Sequence, residues 1–388
     1  MSQSDLASLS LFRATPEQVL ASRKRAWLTR SGGLTEKQYL DRDEVMDVME
    51  HAVDGKAIVW VLAPRTEPGT LDFMCSCRTY RRKALLLCPQ VESKQSVLQE
   101  VPCYGVASVY TPPSKRGKGY ASHMMRLLHW VMASREREFC LPQAFPKEWG
   151  APPPREEEAG DGYFSVLYSD IGGEFYWNCG PGEQKGGGWE VKGNFSTIWD
   201  IKQASGGDQS GGWTWLKQGD LRELWERDAE LIKKDMLRVS PTKSITVSCL
   251  PNEGVAAFQP ARSLFAREEE ISIDIFGVKM DGSDTTDDIT FATWSVDMRP
   301  LPPTLIVTRI RATEQTFPGL LGRIQEAAKR SAIGKVEIWS LPAHLNKVAA
   351  ELQGKAVQRV EGLPAIRWYG KEPTETVVWA FNEKFCWC

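Results

Sequence analysis

The stretch VYTPPSKRGKGYASHMMRLL, residues 109–128, decides the fold class of this chain. It begins as a strand, breaks into a loop rich in proline, glycine, lysine and arginine, and ends as a helix with one apolar face. The first amides of a helix lack partners inside the helix, and the helix dipole adds partial positive charge there. Gly117 and Gly119 let a ligand approach the backbone closely. The stretch therefore predicts a site for an anion with several oxygens, such as a pyrophosphate.

Two common phosphate-binding patterns do not fit this loop. A P-loop built on Gly117-Lys118 needs glycine where Pro112 stands, and serine or threonine where Gly119 stands. A dinucleotide fingerprint needs a third glycine, but that position is Ser122. The alternative explanation for Gly117 and Gly119 is a simple connecting loop whose charged side chains are solvated.

The pattern Arg-x-x-Gly-x-Ala, formed by Arg116, Gly119 and Ala121, resembles the acetyl-CoA-binding signature of the Gcn5-related N-acetyltransferases (GNATs). The first 180 residues also show that family's order, β-α-α-β-β-β-α-loop-β-α, with helix starts predicted at Thr15-Pro16 and at Thr35. The resemblance implies that acetyl-CoA is the co-substrate, that loop amides hold its pyrophosphate and that the preceding strand pairs with its pantetheine arm. The residues implied in acetyl-CoA binding are Val109, Tyr110, Thr111, Lys115, Arg116, Gly117, Lys118, Gly119, Tyr120, Ala121, Ser122 and Ser169.

A second motif, SDIGGEFYWNCG at residues 169–180, places Tyr176 where many members of the family have a tyrosine that protonates the departing thiolate. The alternative is that Tyr176 is a buried aromatic of a short helix. Together the two motifs and the chain length resemble the fungal lysine N-acetyltransferases of lysine catabolism. The resemblance implies that the chain moves an acetyl group from acetyl-CoA to the side-chain amine of free L-lysine, giving N6-acetyl-L-lysine. Ser169 stands where that motif usually has asparagine.

The general base is harder to assign from the sequence. Members of the family often carry a glutamate on the strand before the signature, but here only Glu100 lies upstream of it. The chain ends VVWAFNEKFCWC, and burial of Trp387 would also bury the carboxylate of Cys388. A buried carboxylate needs hydrogen-bond or ion-pair partners, or a catalytic role. The N-myristoyltransferases resemble this layout and use a chain-terminal carboxylate as base. The alternative is a final strand at an edge of the second domain.

The predicted fold class is α/β (α+β): a GNAT-type mixed sheet flanked by helices, then a second, degenerate GNAT-like domain. The Gly/Ser-rich run KQASGGDQSGG at residues 202–212 indicates the boundary. The predicted domains are residues 1–205, which bind acetyl-CoA and carry the catalytic residues, and residues 206–388, which contribute to the substrate site. The closing strand-helix-strand-helix order repeats that of the first half without its glycine loop. Residues 145–162 form a Pro-, Glu- and Gly-rich insert of unassigned role.

Composition limits the remaining possibilities. With 48 Lys+Arg against 50 Asp+Glu, the formal charge of −2 gives no reason to expect nucleic acid or an anionic membrane as partner. Nine cysteines form no secreted disulfide pattern, and with four histidines they indicate no metal site, so we expect a cytoplasmic protein. His123 is expected on the polar side of its helix. The alternative functions are acetylation of protein or peptide amines, and noncatalytic CoA binding by a regulator; the oligomeric state stays open.

Overall fold

A computed structural model describes residues 6–89, 96–134, 141–201, 212–238, 244–265, 273–282, 289–298 and 301–388. Within these ranges the strands form two mixed sheets, and helices pack against them. The predicted α/β class with two GNAT-like units is therefore confirmed. No helix in the described ranges combines the length and the apolar character needed to cross a membrane.

The elements of the first half follow the predicted order. The strands are β1 (Leu9–Arg13), β2 (Ala57–Pro64), β3 (Cys75–Cys88), β4 (Val97–Tyr110), β5 (Phe164–Ser169), β6 (Glu190–Val191) and β7 (Phe195–Asp200). The helices are α1 (Pro16–Arg30), α2 (Glu36–Asp47), α3 (Tyr120–Met132) and α4 (Glu174–Trp177). Both predicted helix starts are confirmed, because the Thr15 and Thr35 hydroxyls accept hydrogen bonds from the backbone N–H groups of Gln18 and Gln38, each at 3.3 Å.

The second half of the chain also alternates between strands and helices. Its strands are β8 (Trp213–Leu216), β9 (Thr246–Cys249), β10 (Gly277–Met280), β11 (Phe291–Asp297), β12 (Thr304–Arg311), β13 (Lys335–Trp339), β14 (Lys355–Gln358), β15 (Leu363–Trp368) and β16 (Val378–Trp379). Its helices are α5 (Leu221–Arg238), α6 (Phe258–Phe265), α7 (Phe317–Arg330) and α8 (Asn346–Glu351).

Each sheet contains one parallel pair of strands joined through a helix. In the first sheet β4 runs parallel to β5, from Cys103 opposite Phe164 to Val106 opposite Leu167, and α3 connects them. In the second sheet β12 runs parallel to β13, from Thr304 opposite Lys335, and α7 connects them. The shared β-α-β connection supports a degenerate second copy of the same unit.

Each sheet contains strands from both halves of the chain. The first has the order β1-β2-β3-β4-β5-β15-β6, with β9 beside β3 and β16 beside β9. The second has the order β14-β7-β13-β12-β11-β10-β8. Thus β15 completes the sheet of the first half, while β7 lies inside the sheet of the second half. The predicted domain boundary between residues 205 and 206 lies outside the described residues and stays a prediction.

The core of the first half forms around α3. Met124, Met125 and Leu128 are fully buried, as their helical spacing predicts. His123, expected on the polar side, is only 3% exposed, and its ring meets Trp149 edge-on with centroids 6.0 Å apart. The expectation was wrong because the insert carries Trp149 back over this face of the helix. Burial lowers the pKa of His123 to about 4, so the ring is neutral at pH 7.

Candidate active site

A cavity opens where β4 and β5 stop pairing. Their register ends at Val106 and Leu167, although both strands continue beyond these residues. Ser108 in β4 has a φ of 53°, and the register between β3 and β4 shifts at the same level, which identifies a β-bulge. The bulge turns the end of β4 away from β5. The cavity between the two strands has a volume of about 940 Å³.

The glycine loop lies beside this cavity at the start of α3. Gly117 and Gly119 have φ values of 73° and 78°, in the left-handed region that favours glycine. Gly119 is the N-cap of α3, and no side chain caps the helix there. Among the described residues, a Cβ at Gly117 would meet no atom within 4 Å, and a Cβ at Gly119 would meet only Leu6 Cδ1, at 3.8 Å. The first turn of α3 is therefore open to a ligand.

The predicted acetyl-CoA residues divide into two groups. Those that line the cavity are Val109, Tyr110, Thr111, Arg116 and Ala121. Those that do not line it are Lys115, Gly117, Lys118, Gly119, Tyr120, Ser122 and Ser169. The assignment of both groups to acetyl-CoA stays a prediction.

Several of these side chains already have structural partners. Lys115 Nζ lies 2.6 Å from Asp72 Oδ1 and donates to the Phe73 carbonyl at 3.3 Å, so Lys115 fixes the loop before β3. Arg116 Nε donates to the Thr111 carbonyl at 3.0 Å. The buried Ser169 hydroxyl accepts from the Ile171 N–H at 3.2 Å. Arg116 and Ser169 thus also hold the conformations of their loops.

Tyr176 lies in the short helix α4 and lines the cavity. It is 9% exposed, and its ring meets Phe175 and Trp189 edge-on at centroid distances of 4.9 and 6.3 Å. Burial raises the pKa of the Tyr176 phenol well above its usual value, since nearby apolar groups disfavour the phenolate. The phenol is therefore protonated at neutral pH and can donate a proton.

The segment that carries Cys388 lies against the same cavity, and Cys388 lines it together with Tyr176. The Cys386 carbonyl accepts from Arg82 Nη1 at 2.7 Å, and the Trp387 carbonyl accepts from Gln259 Nε2 at 2.9 Å. Burial raises the pKa of the Cys388 thiol despite the nearby Arg82 guanidinium. The thiol is therefore neutral at physiological pH.

Glu100, the other carboxylate considered in the sequence, lies elsewhere. Its side chain is 43% exposed and forms an ion pair with Lys233 at 2.6 Å. A hydrogen bond from Lys233 lowers the pKa of the Glu100 carboxyl. Glu100 does not line the cavity.

The cavity wall is rich in cations, of which sequence inspection assigned only Arg116 to the site. The charged side chains that line it in the described part of the chain are Arg30, Arg42, Arg78, Arg116, Arg262, Asp43 and Asp170. Arg42 pairs with Asp43 at 2.7 Å and Arg78 pairs with Asp47 at 2.5 Å. These arginines come from separate elements, so no local motif reveals them. Their excess over the aspartates favours anionic ligands.

The arrangement of the described side chains does not indicate a metal site. Among the described residues, no group of three or more His, Cys, Asp or Glu side chains is arranged to hold a metal ion. The cavity instead combines open helix amides, a strand edge, a protonated tyrosine and several arginines.

Comparison with solved structures identifies the fold. A probable N-acyltransferase from Enterococcus faecalis V583 aligns with a TM-score of 0.51 at 12% identity, over 93% of this chain and 72% of that one. A GCN5-related N-acetyltransferase from Kribbella flavida aligns at 0.48 and 17% identity, over 93% and 71% of the two chains. Another from Anabaena variabilis ATCC 29413 aligns at 0.49 and 13%, over 93% and 73%. No curated protein sequence matches the chain.

The chain has a GNAT-like fold, as the glycine-loop signature predicted. Residues 199–388 match the family model described as the LYC1 GNAT-like C-terminal domain. The second half of the chain is therefore similar to that domain.

Proposed function

We propose that the protein acetylates the side-chain amine of free L-lysine with acetyl-CoA, producing N6-acetyl-L-lysine and CoA. The observation that carries this proposal is that one cavity joins the strand edge at residues 109–111, the protonated Tyr176 and Cys388. The open first turn of α3 lies directly beside it. The superfamily fold supports acetyl transfer at such a site.

The proposed chemistry assigns each proton. The lysine amine, with an ordinary pKa near 10.4, loses a proton to a base and attacks the thioester carbonyl carbon. Residues 109–111 line the cavity, and we expect one of their backbone N–H groups to stabilise the charge that develops on the carbonyl oxygen. When the carbon–sulfur bond breaks, the CoA thiolate takes the proton of the Tyr176 hydroxyl. The remaining extra proton on the nitrogen then passes to the Tyr176 phenolate and restores the phenol, and the base releases its proton to solvent. The products are the amide and the free thiol.

We favour free lysine over a peptide because residues of the second half contribute to the cavity wall. Phe258, Arg262, Trp387 and Cys388 line it together with residues of the first half. An extended peptide binds in an open groove, whereas a small amino acid fits a cavity whose wall is supplied by both halves of the chain. The match to the LYC1 domain agrees with the resemblance of the first half to lysine N-acetyltransferases.

The direct test incubates the protein with acetyl-CoA and each amino acid in turn and follows thiol release. We expect turnover with L-lysine and a product that mass spectrometry identifies as N6-acetyl-L-lysine. Activity on lysine-containing peptides without activity on the free amino acid would establish the alternative enzyme. Binding of acetyl-CoA with no turnover of any amine from pH 7 to 9 (roughly the range in which a base can act) would favour a noncatalytic regulator.

Changes in the loop are expected to weaken acetyl-CoA binding. Arg116→Ala removes a cation, and loss of a charge-assisted hydrogen bond costs about 1.5–3 kcal/mol. Gly119→Val places a β-branched residue at a φ of 78°, which strains the loop and covers the open helix turn. Isothermal titration with acetyl-CoA measures both effects. Gly219→Val is the matched control, since Gly219 has open space around it and no positive φ. Unchanged affinity in both loop variants would mean that the loop is only a solvated turn.

We propose that the carboxylate of Cys388 accepts the proton from the amine. Adding two alanines after Cys388 moves this carboxylate away, and we expect turnover to fall by about 10²-fold, the usual contribution of a general base. Cys388→Ala separates carboxylate from thiol, because it removes only the thiol and is expected to keep most activity. Initial rates and acetyl-CoA affinity are measured for both variants. Normal turnover of the extended chain would exclude this base.

A further inference from the structure

A small side cavity adjoins the large one. It has a volume of about 140 Å³, and Arg30, Gly32, Arg42 and Arg262 line both spaces. Asp297 lines the side cavity only. The side cavity therefore brings a guanidinium and a carboxylate together next to the proposed site of acetyl transfer.

Arg262 is the guanidinium in this wall that forms no hydrogen bond or ion pair with a described residue, whereas Arg30 donates to the Val109 carbonyl at 2.8 Å. The main electrostatic partner of Arg262 is the Asp297 carboxylate in the same wall. The Arg262 guanidinium lies 4.7 Å from the centroid of the Trp387 ring. Arg42, by contrast, donates twice to Asp43 Oδ1, at 3.0 and 2.7 Å. Burial lowers the pKa of Arg262, as expected for a charge with too little compensation. A half-buried cation of this kind favours an anion as its ligand.

Asp297, at the end of β11, supplies the opposite charge. Lys384 Nζ donates to its Oδ2 at 2.8 Å, while no described residue donates to Oδ1. Burial by itself raises the pKa of this carboxyl, but Lys384 and then Arg262 hold it below the usual value. The carboxylate is ionised at neutral pH and keeps one oxygen for a ligand.

We propose that the side cavity binds the α-amino-acid head of the substrate, with Arg262 on the α-carboxylate and Asp297 on the α-ammonium. This inference rests on the proposed function. A guanidinium binds a carboxylate with two parallel hydrogen bonds, and a carboxylate oxygen accepts well from an ammonium. Arg262 stacks on Trp387, the neighbour of Cys388, so the head lies beside the reacting end. An internal peptide lysine carries neither charge, and the site therefore selects the free amino acid.

The test uses three amines that differ only at the head. L-Lysine carries both charges, L-lysinamide lacks the carboxylate, and 6-aminohexanoate lacks the α-ammonium. We expect Arg262→Gln to lower kcat/KM for L-lysine and 6-aminohexanoate by about 10- to 100-fold, the loss expected for one charge-assisted contact, and to leave L-lysinamide within about twofold. Asp297→Asn should lower kcat/KM for L-lysine and L-lysinamide and spare 6-aminohexanoate. The KM for acetyl-CoA should not change.

A control variant separates the loss of contacts to the substrate head from a general loss of activity. Arg330→Gln removes an exposed arginine that pairs with Glu326, and we expect its kcat/KM to match the wild type for all three amines. The three amines can also be compared on the wild-type enzyme. This comparison remains possible even if a substitution prevents folding. We expect the wild-type enzyme to prefer L-lysine over both analogues by at least about tenfold.

The outcomes distinguish this inference from the function on which it rests. Equal losses on all three amines, or a raised KM for acetyl-CoA, would overturn the assignment of Arg262 while acetyl transfer to lysine stands. Equal wild-type activity on L-lysine and L-lysinamide would overturn the carboxylate site in the same way. Absence of wild-type activity on every amine would overturn the proposed function, and this inference with it.

Discussion

Replacing Tyr176 with phenylalanine is expected to reduce turnover by about 10²- to 10⁴-fold, the range for loss of a positioned general acid. The ring of Tyr176 is 9% exposed and packs against Phe175 and Trp189, so phenylalanine can occupy the same space. Only the hydroxyl, which we propose protonates the departing thiolate, is lost. We therefore expect kcat to fall, while the affinity for acetyl-CoA and the Tm change little. Steady-state kinetics combined with calorimetric titration measures these quantities.

The pH dependence gives an independent check on the same residue. Because burial raises the pKa of Tyr176, the phenol stays protonated, and its ionisation should cause no loss of wild-type activity below about pH 10, the ordinary pKa of tyrosine. Tyr163→Phe serves as control, since Tyr163 lies outside the residues that line the cavity. If Tyr176→Phe retains normal kcat, the residue is a packing aromatic and the thiolate leaves without its help.

Replacing Arg309 with methionine is expected to lower the free energy of unfolding by about 3–5 kcal/mol, the loss typical of a broken buried ion pair. Arg309 Nε donates to Asp228 Oδ2 at 2.6 Å and Nη2 donates to Asp228 Oδ1 at 3.1 Å. Its Nη1 also pairs with Glu383, whose other oxygen accepts from the Ile310 N–H at 2.9 Å. The arginine side chain is 2% exposed, so water cannot replace these contacts. Methionine would leave the buried Glu383 carboxylate without its cation and Asp228 with Arg311 alone.

Urea unfolding followed by circular dichroism measures this loss. Arg330→Met is the matched control, because Arg330 is 52% exposed and forms an (i, i+4) pair, for which we expect a change within about 0.5 kcal/mol. A variant that replaces Arg309, Asp228 and Glu383 together with apolar residues should recover much of the stability, since a buried ion cluster is often no better than apolar packing. A loss under about 1 kcal/mol for Arg309→Met would mean that the cluster is already solvated.

Local sequence signals predicted much of the first half. The starts of α1 and α2 could be predicted from Thr15 and Thr35, because a capping box is complete within four residues. The loop before α3 could also be predicted, since the positive φ values of Gly117 and Gly119 require the residue type that the sequence shows. These features depend on neighbours along the chain and need no information from distant residues.

Features that depend on distant contacts could not be predicted. The largely buried β15 pairs with β5, and nothing in the sequence LPAIRW indicates which of the two sheets contains it. His123 has the spacing of a polar face, but the chain that returns with Trp149 buries it. Arg262 belongs to an ordinary short helix, and only the approach of Trp387 and Asp297 gives it a distinct environment. Tertiary packing assembles such sites, and the hydrophobic periodicity of the sequence gives no information about it.

The exchange of β15 between the halves has a consequence for synthesis of the protein. The ribosome makes β5 about half a chain before it makes β15, and Cys388 emerges later still. A nascent chain that has completed all of its glycine-loop unit still exposes the edge of β5 and lacks part of the cavity wall. Until β15 has been synthesised, this open edge of β5 can bind chaperones or pair wrongly with another chain.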